Sequence, residues 1–278
     1  MKKILAQDIM TNVQKLFIDT NIYADDDLKK LVLIAHEQES NSRAKRALKT
    51  ILKNMDIARD EQMPMCQDTG MAVVFVEIGQ DVHVEGDIFF AINAGIRNAV
   101  QSGYLRASVV GCPMGRQNTG DNTPAVVHYN IVPGDGFKIT VMPKGFGSEN
   151  KGAAVMLPPS AGIEGIEEFV LKTVRNAGGD PCPPIFAGVG IGGTLEKAAL
   201  MAKEALLQHG TTIADMPDDS LASRLLQKIN ALNIGTGGLG GDITALGVNV
   251  LTYPTHIAGL PVAVNICCHV ARHGTVLM

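Results

Sequence analysis

Apolar positions recur at three- and four-residue spacing through the first sixty residues, in Leu28, Leu31, Val32 and Ala35 and again in Ala47, Leu48, Ile51, Leu52 and Met55. Each stretch offers one apolar stripe to a core, so the N-terminal region is expected to be helical scaffold. The pattern then changes. The run MAVVFVEIG, Met71 to Gly79, is rich in Val and Ile, ends on Gly and reads as a strand that follows the loop holding Cys66. Asp87 can cap a helix running to about Gln101, with Phe89, Ile92, Ile96 and Val100 on its buried side. From Ala125 to Met142 two β-rich runs, AVVHYNIV and FKITVM, flank Pro133-Gly134-Asp135-Gly136, which predicts a hairpin. Helices are expected at about 164–177, 195–208 and 219–232, with PIFAGVGIGG and TALGVNVLT as buried strands between them.

This mixture of helices and sheet behind a helical N-terminal region assigns the chain to the α/β class. The loops near 111–123, 143–162 and 210–218 carry Pro, Gly, Asn and Asp, but none has the length of a clear interdomain linker. The expected organisation is one domain over residues 1–278 with a subdomain boundary near 160, and no internal repeat is apparent.

Composition narrows the function. With 46% hydrophobic residues in a chain of 278, a sizeable core can be buried. A net charge of −4, 4% aromatics and no Trp argue against a nucleic-acid surface of basic patches and stacking rings, leaving a small-molecule ligand as the default. No apolar run approaches the roughly 20 residues of a membrane span, and Asp8 interrupts any signal-peptide core, so a cytoplasmic location off the membrane is expected. Five cysteines, an odd number in a chain too large to need disulfide staples, favour reduced thiols available for metals or catalysis over a disulfide framework.

Three of those cysteines lie in separate loops, as Met65-Cys66-Gln67-Asp68-Thr69-Gly70, Asp180-Pro181-Cys182-Pro183-Pro184 and Cys267-Cys268-His269. Without a Cys-x-x-Cys pair the chain has neither a zinc-ribbon nor a thioredoxin-like signature, and spacing alone leaves metal ligands and buried structural thiols both open. The segment Leu232 to Gly241, LNIGTGGLGG, looks at first like a phosphate cradle, but it lacks the Gly-Lys-Ser/Thr ending and follows a helix, which argues against nucleotide binding.

Taken in order, CQDTG, KGFGSENK, CPPIFAGVGIGGT, LNIGTGGLGG and HIAGLPVAVNICCHVAR resemble the class I, iron–sulfur fumarate hydratases and their relative L-tartrate dehydratase, from about residue 60 to the C-terminus. The resemblance implies a hydro-lyase α subunit, with its α-region fold, that hydrates fumarate reversibly to malate within the tricarboxylic acid cycle. It implies a β subunit that completes the active site in a hetero-oligomer, and a small dicarboxylate substrate. By position, it makes Cys66, Cys182 and Cys268 the ligands of a 4Fe-4S cluster with one open iron, able to act as a Lewis acid. Cys112 and Cys267 match no ligand position. Gln67 and Asp68 match a substrate-contacting pair, Arg106 a substrate-carboxylate arginine, Gly147 a backbone contact and His256, twelve residues before Cys268, an active-site histidine. His269 and His273 match no family role. In KGFGSENK the family's three consecutive glycines are broken by Phe146.

Each assignment has a plainer competitor. Asp-Thr-Gly is good turn chemistry, a lone Arg is commonly a solvated surface residue, Gly147 can be a simple turn, and a lone His before an apolar strand is commonly a satisfied core residue. The leading expectation is a fumarate hydratase α subunit, toward which KGFGSENK leans. The alternatives are an L-tartrate dehydratase α subunit and a non-catalytic metal-binding assembly protein.

Overall fold

The computed structural model describes residues 1–208, 211–215 and 219–278. In chain order the elements are β1 (Lys2–Leu5), α1 (Ala6–Ile22), α2 (Asp26–Gln38), α3 (Ser42–Asp60), β2 (Met71–Gly79), β3 (Val82–Glu85), α4 (Ile88–Ser102), β4 (Val126–Val132) and β5 (Phe137–Lys144). There follow α5 (Phe146–Glu149), β6 (Ala153–Leu157), α6 (Gly162–Ala177), β7 (Ile185–Gly192), α7 (Leu195–Glu204), β8 (Thr211–Thr212), α8 (Leu221–Asn230), β9 (Ala245–Tyr253), β10 (Leu260–Cys267) and β11 (Gly274–Leu277). The α/β class is borne out. Among the described residues no helix is long and apolar enough to cross a membrane.

The elements gather into two compact units, one of Met1–Ala24, Met55–Phe146 and Arg272–Met278, the other of Asp25–Asn54 and Gly147–Ala271. In the first unit a four-stranded sheet runs β11-β5-β2-β4, beside a parallel β1-β3 pair. Ile9, Val13 and Phe17, spaced four apart on α1, are wholly buried together with Ile92 and Ile96 of α4 and Val74, Ile139 and Val141 of the sheet. Asp87 caps α4 as expected, its carboxylate accepting from the Phe90 N–H at 2.8 Å. Phe89, expected on the buried face, is instead 48% exposed, because the inward stripe is set by Ala91, Ile92, Ile96 and Val100.

The expected hairpin does not form. β4 pairs in parallel with β2, β5 pairs antiparallel with the other edge of β2, and β2 lies between them. The Pro133–Gly136 turn therefore crosses the end of β2. Gly79 donates to the Gly136 carbonyl at 2.7 Å and Asp81 to the Gly134 carbonyl at 2.9 Å. A Cβ on Gly79 would sit 2.2 Å from the Gly134 oxygen, so the crossing needs glycine there.

The second unit repeats this device, which no sequence periodicity announces. Its sheet runs β6-β10-β7-β9-β8, with β9 parallel to β7 and β10 antiparallel on the opposite edge. The β9–β10 connection crosses the end of β7 at Gly192, which adopts φ +96° and whose Cβ would lie 1.9 Å from the Tyr253 oxygen. Both sheets thus contain an outer strand, an antiparallel strand, the central strand and a parallel strand in the same order. Gly188 and Gly190 let α7 lie directly on β7, since a Cβ at either would meet the Ala202 or Ala198 carbonyl at 2.1 Å. On the other helices of the unit, Ile166, Val170 and Val174 of α6 and Leu225 and Ile229 of α8 are buried with β7, β9 and β10.

Glu39 ties the link between α2 and α3 to the loop before β9. Its buried carboxylate accepts from the Asn41 N–H at 2.8 Å, from the Asp242 N–H at 3.0 and 3.1 Å and from the Ile243 N–H at 3.1 Å. Such charge-assisted bonds offset the cost of burying the carboxylate. Two further differences are local. Within the region expected to be all helix, residues 2–5 pair as β1 with β3, and within the expected loop at 143–162 residues 153–157 add β6 to the edge of β10. The expected loop at 210–218 lies partly outside the described residues, at 210 and 216–218; within it, Thr211–Thr212 form β8.

Gly192→Ala combines left-handed backbone with a collision against a carbonyl, and is expected to destabilise the chain by on the order of 3 kcal/mol. Gly136→Ala, whose Cβ would meet nothing within 4 Å, is expected to stay within about 0.5 kcal/mol of wild type. Denaturant midpoints of the two variants check the contrast; equal midpoints would disprove the crossing as drawn.

Candidate functional site

In the first unit the Cys66–Gly70 loop precedes β2, and its backbone is held almost wholly by side chains. Buried Thr69 Oγ1 accepts from the Arg106 N–H at 3.0 Å and lies 3.4 Å from the Arg106 carbonyl, so the CQDTG and Tyr104-Leu105-Arg106 loops lie side by side. Wholly buried Asn122 donates to the Gly70 carbonyl at 2.9 Å and accepts from the Ser108 N–H at 3.0 Å. Gly70, at φ +81°, packs against the end of β5, where a Cβ would come within 2.8 Å of the Lys144 nitrogen.

The Asp68 carboxylate is fixed on both oxygens. Oδ1 accepts from the Gly70 N–H at 3.1 Å and Oδ2 from the Phe146 N–H at 2.8 Å, which leaves further lone pairs for a ligand. Arg272 holds the same residue from behind, donating from Nη2 to the Asp68 carbonyl and from Nε to the Pro143 carbonyl at 3.3 Å. Its Nη1 is buried and meets no acceptor among the described residues. The Cys66 thiol is half-buried, 3.5 Å from Gln67 Oε1, while Gln67 and Arg106 are exposed. The structure therefore brings Cys66, Gln67, Asp68 and Arg106 onto adjoining loops of one unit.

In the second unit the strand register does the corresponding work. Cys267 of β10 pairs with Phe186 of β7, and the two strands are antiparallel, so Cys182, just before β7, and Cys268, just after β10, emerge at the same end of the sheet. Cys182 adopts φ +55° between buried Pro181 and the cis Pro183–Pro184 bond, with its thiol exposed. The glycine-rich loop after α8 covers this turn, the Gly237 N–H donating to the Pro183 carbonyl at 2.8 Å and Gly179 packing against Gly238. That is the work of LNIGTGGLGG: it buttresses the cysteine loop.

Gly147 belongs to the same end, in the single helical turn α5, and its Cβ position lies 3.7 Å from the Asp180 carbonyl. Lys151 pairs with Asp180 at 2.5 Å, while Glu149 accepts from Lys203 and, at 3.1 Å, from Asn265 Nδ2, so side chains on both sides pin the turn that follows Gly147.

His256 does not join them. It lies in the β9–β10 connection, at the opposite end of β10 from Cys268, and eight extended residues span roughly 25 Å at about 3.3 Å each. The twelve-residue spacing from Cys268 therefore measures separation. The exposed ring accepts from the Ala258 N–H on Nδ1 at 3.2 Å, so its neutral form carries the proton on Nε2. Residues the sequence reading left without a role are Thr69, Asn122, Arg272 and His269, whose half-buried imidazole lies with Nδ1 2.9 Å from the Cys182 carbonyl. Burial pushes the His269 pKa below the ordinary histidine value, and the Cys182 carbonyl opposes that only in part.

Among the described residues of either unit, no three His, Cys, Asp or Glu side chains are drawn together as a metal-binding group. The donors fit an iron–sulfur group by their chemistry. Cys66, Cys182 and Cys268 are loop thiols outside any disulfide, a soft donor set of the type such clusters take, and the Nη1 of Arg272 is a buried donor in need of an acceptor beside the Cys66 loop. Cys267, by contrast, is buried within β10. Cys112, exposed, accepts from the Gly115 N–H at 3.3 Å, and this bond and one from Met114 lower its pKa from the ordinary thiol value.

A family model described as Fumarate hydratase (Fumerase) matches residues 10–277. A Methanocaldococcus jannaschii protein described as a putative L(+)-tartrate dehydratase subunit alpha is 42% identical over 268 residues, 94% of each chain. The L(+)-tartrate dehydratase alpha subunits of Escherichia coli and Shigella sonnei are each 32% identical over 259 residues, 91% of this chain and 85% of the relative. With a match over nearly its whole length, the chain belongs to the fumarate hydratase (Fumerase) family of hydro-lyases.

Proposed function

We propose that this chain is the α subunit of a two-subunit hydro-lyase that removes water from a small hydroxylated dicarboxylate, with L-tartrate as first substrate. The observation that carries the proposal is made within each unit separately: Cys66, Gln67, Asp68 and Arg106 lie on adjoining loops at the start of β2, and Cys182, Cys268 and Gly147 gather where β7 begins and β10 ends. The relatives' names support tartrate over the fumarate assignment to which KGFGSENK leans, and their designation as alpha subunits supports a β partner. A second reading, reversible hydration of fumarate to malate, is supported by the description of the family model.

Dehydration breaks a C–O bond at the hydroxyl-bearing carbon and a C–H bond at its neighbour, beside a carboxylate, and releases the two fragments as water. In the proposal Cys66, Cys182 and Cys268 hold a 4Fe-4S cluster, which supplies a Lewis acid that makes hydroxide a better leaving group. Arg106 holds one substrate carboxylate through its guanidinium fork, and the Gly147 backbone N–H donates to a carboxylate oxygen. Asp68, its two oxygens already oriented by Gly70 and Phe146, accepts a hydrogen bond from the substrate hydroxyl, and Gln67 adds an amide contact. His256 enters on the resemblance alone, as an Nε2–H donor. No side chain of this set is a fitting base for the carbon-bound proton, so the β subunit supplies it. Strongly exposed Tyr104 and Ile257, neighbours of Arg106 and His256, offer apolar surface for that subunit.

Replacing Cys66, Cys182 or Cys268 by Ser is expected to strip iron from the anaerobically prepared protein, while Cys112→Ser, Cys267→Ala and His256→Gln retain it; equal loss across the set would show the ligands to be wrongly chosen. In the αβ enzyme Asp68→Asn is expected to lower kcat by at least about a hundredfold with iron content intact. The deciding experiment assays the chain alone and co-expressed with its β partner, anaerobically, on L-tartrate, malate and fumarate. The isolated chain is expected to be inactive and the pair to turn over L-tartrate fastest. Faster turnover of malate or fumarate would establish the second reading, and activity without the partner would overturn the division of labour.

A further inference from the structure

The contact between His269 and Cys182 has no part in the resemblance, yet it joins two of the proposed ligand loops within one unit. A carbonyl oxygen can only accept, so in the 2.9 Å contact Nδ1 is the donor and carries the hydrogen. His269 is bonded to Cys268 through one peptide, and consecutive Cα atoms are about 3.8 Å apart. The bond therefore closes a short loop from the Cys182 carbonyl through the imidazole to the Cys268 backbone. Cys182 needs such a tether: its φ of +55° is a left-handed conformation that costs a non-glycine residue on the order of 1–3 kcal/mol. The flanking prolines set their own backbone, while the Cys182 peptide groups are held by the N–H bond to the Gly179 carbonyl at 3.1 Å and by His269 on the carbonyl side.

We propose that His269 is a positioning residue that holds the Cys182 backbone so that the Cys182 and Cys268 thiols point as a pair before any metal arrives. The proposal rests on the reading of these two cysteines as ligands. Partners that orient metal ligands from behind are worth roughly 10–100-fold in metal affinity, which sets the size of the effect to look for.

Chelation kinetics on the full chain, co-expressed anaerobically with its β partner, test it. An Asn amide nitrogen stands two bonds from Cβ, as Nδ1 does, whereas a Gln amide nitrogen stands one bond further. With a ferrous chelator, His269→Ala and His269→Gln are expected to lose iron and visible absorbance about tenfold faster than wild type, and His269→Asn within about threefold of it. Thermal midpoints of the chelated proteins accompany the rates. If His269→Ala fails to fold, the Asn and Gln variants, both polar and of similar size, decide the matter by themselves. Equal rates for Asn and Gln, or a wild-type rate for Ala, would overturn the positioning role. Cys182→Ser, measured alongside, separates the two failures: retained iron there removes the ligand reading itself, whereas lost iron with unaltered His269 variants removes only the tether.

Discussion

Each sheet depends on one constraint: its central strand must accept two later strands on opposite edges, one parallel and one antiparallel, although those two strands are joined by a short connection. The connection has to cross the end of the central strand, and there is room only where the strand ends in a glycine, Gly79 under Gly134 or Gly192 under the Tyr253 carbonyl. One end of each central strand is thereby closed. The other end, where β2 and β7 begin, stays open, and there the chain places Cys66 and Cys182, with the residues following β5 and β10 beside them. Placement of the candidate site is thus a consequence of strand order.

At the open ends, hydrogen bonds from side chains to backbone do much of the shaping. Thr69 and Asn122 hold loops to loops in the first unit, Arg272 holds Asp68 to the end of β5, and in the second unit His269 and the Gly237 N–H hold the turn around Cys182. Directional contacts of this kind fix backbone paths that apolar packing, which is indifferent to direction, leaves loose. At the candidate residues the hold is on the backbone: Arg106 is fixed through its N–H, and the exposed Cys182 through its carbonyl.

The helices, the cap at Asp87 and the strands at 71–79, 185–192 and 245–253 were legible because their causes are local: a period of 3.6, a carboxylate one residue before a helix, a run of β-branched side chains. Strand partners were not. Pro133–Gly136 has the composition of a hairpin turn, and nothing in it reports that β2, fifty residues earlier in the chain, lies between the arms. Phe89 was misplaced by one helical step, and the glycines of GVGIGG revealed themselves as the floor under α7 only once the Ala198 and Ala202 carbonyls were seen above them. The candidate cysteines were readable by resemblance. His269, Thr69 and Arg272 were not, because each acts on a distant backbone atom, a relation that residue type does not encode. The distance between His256 and Cys268 was not legible either, since twelve residues mean proximity in a helix or loop but separation along a strand, and β10 lies between the two.

The crossed strands also bear on biosynthesis. As the chain leaves the ribosome, β7 is complete while both its sheet partners, β9 and β10, still lie beyond α7 and α8. Until they arrive, a strand apolar on both faces and built for pairing along both edges stays unsatisfied, and such a segment invites contact with other nascent chains. The glycines at 188, 190 and 192 lower its β-propensity and weaken it as a template for foreign strands, while α7, next in sequence, can dock on it at once through Ala198 and Ala202. The residues that permit close packing in the finished protein thus also shield the half-made one from aggregation.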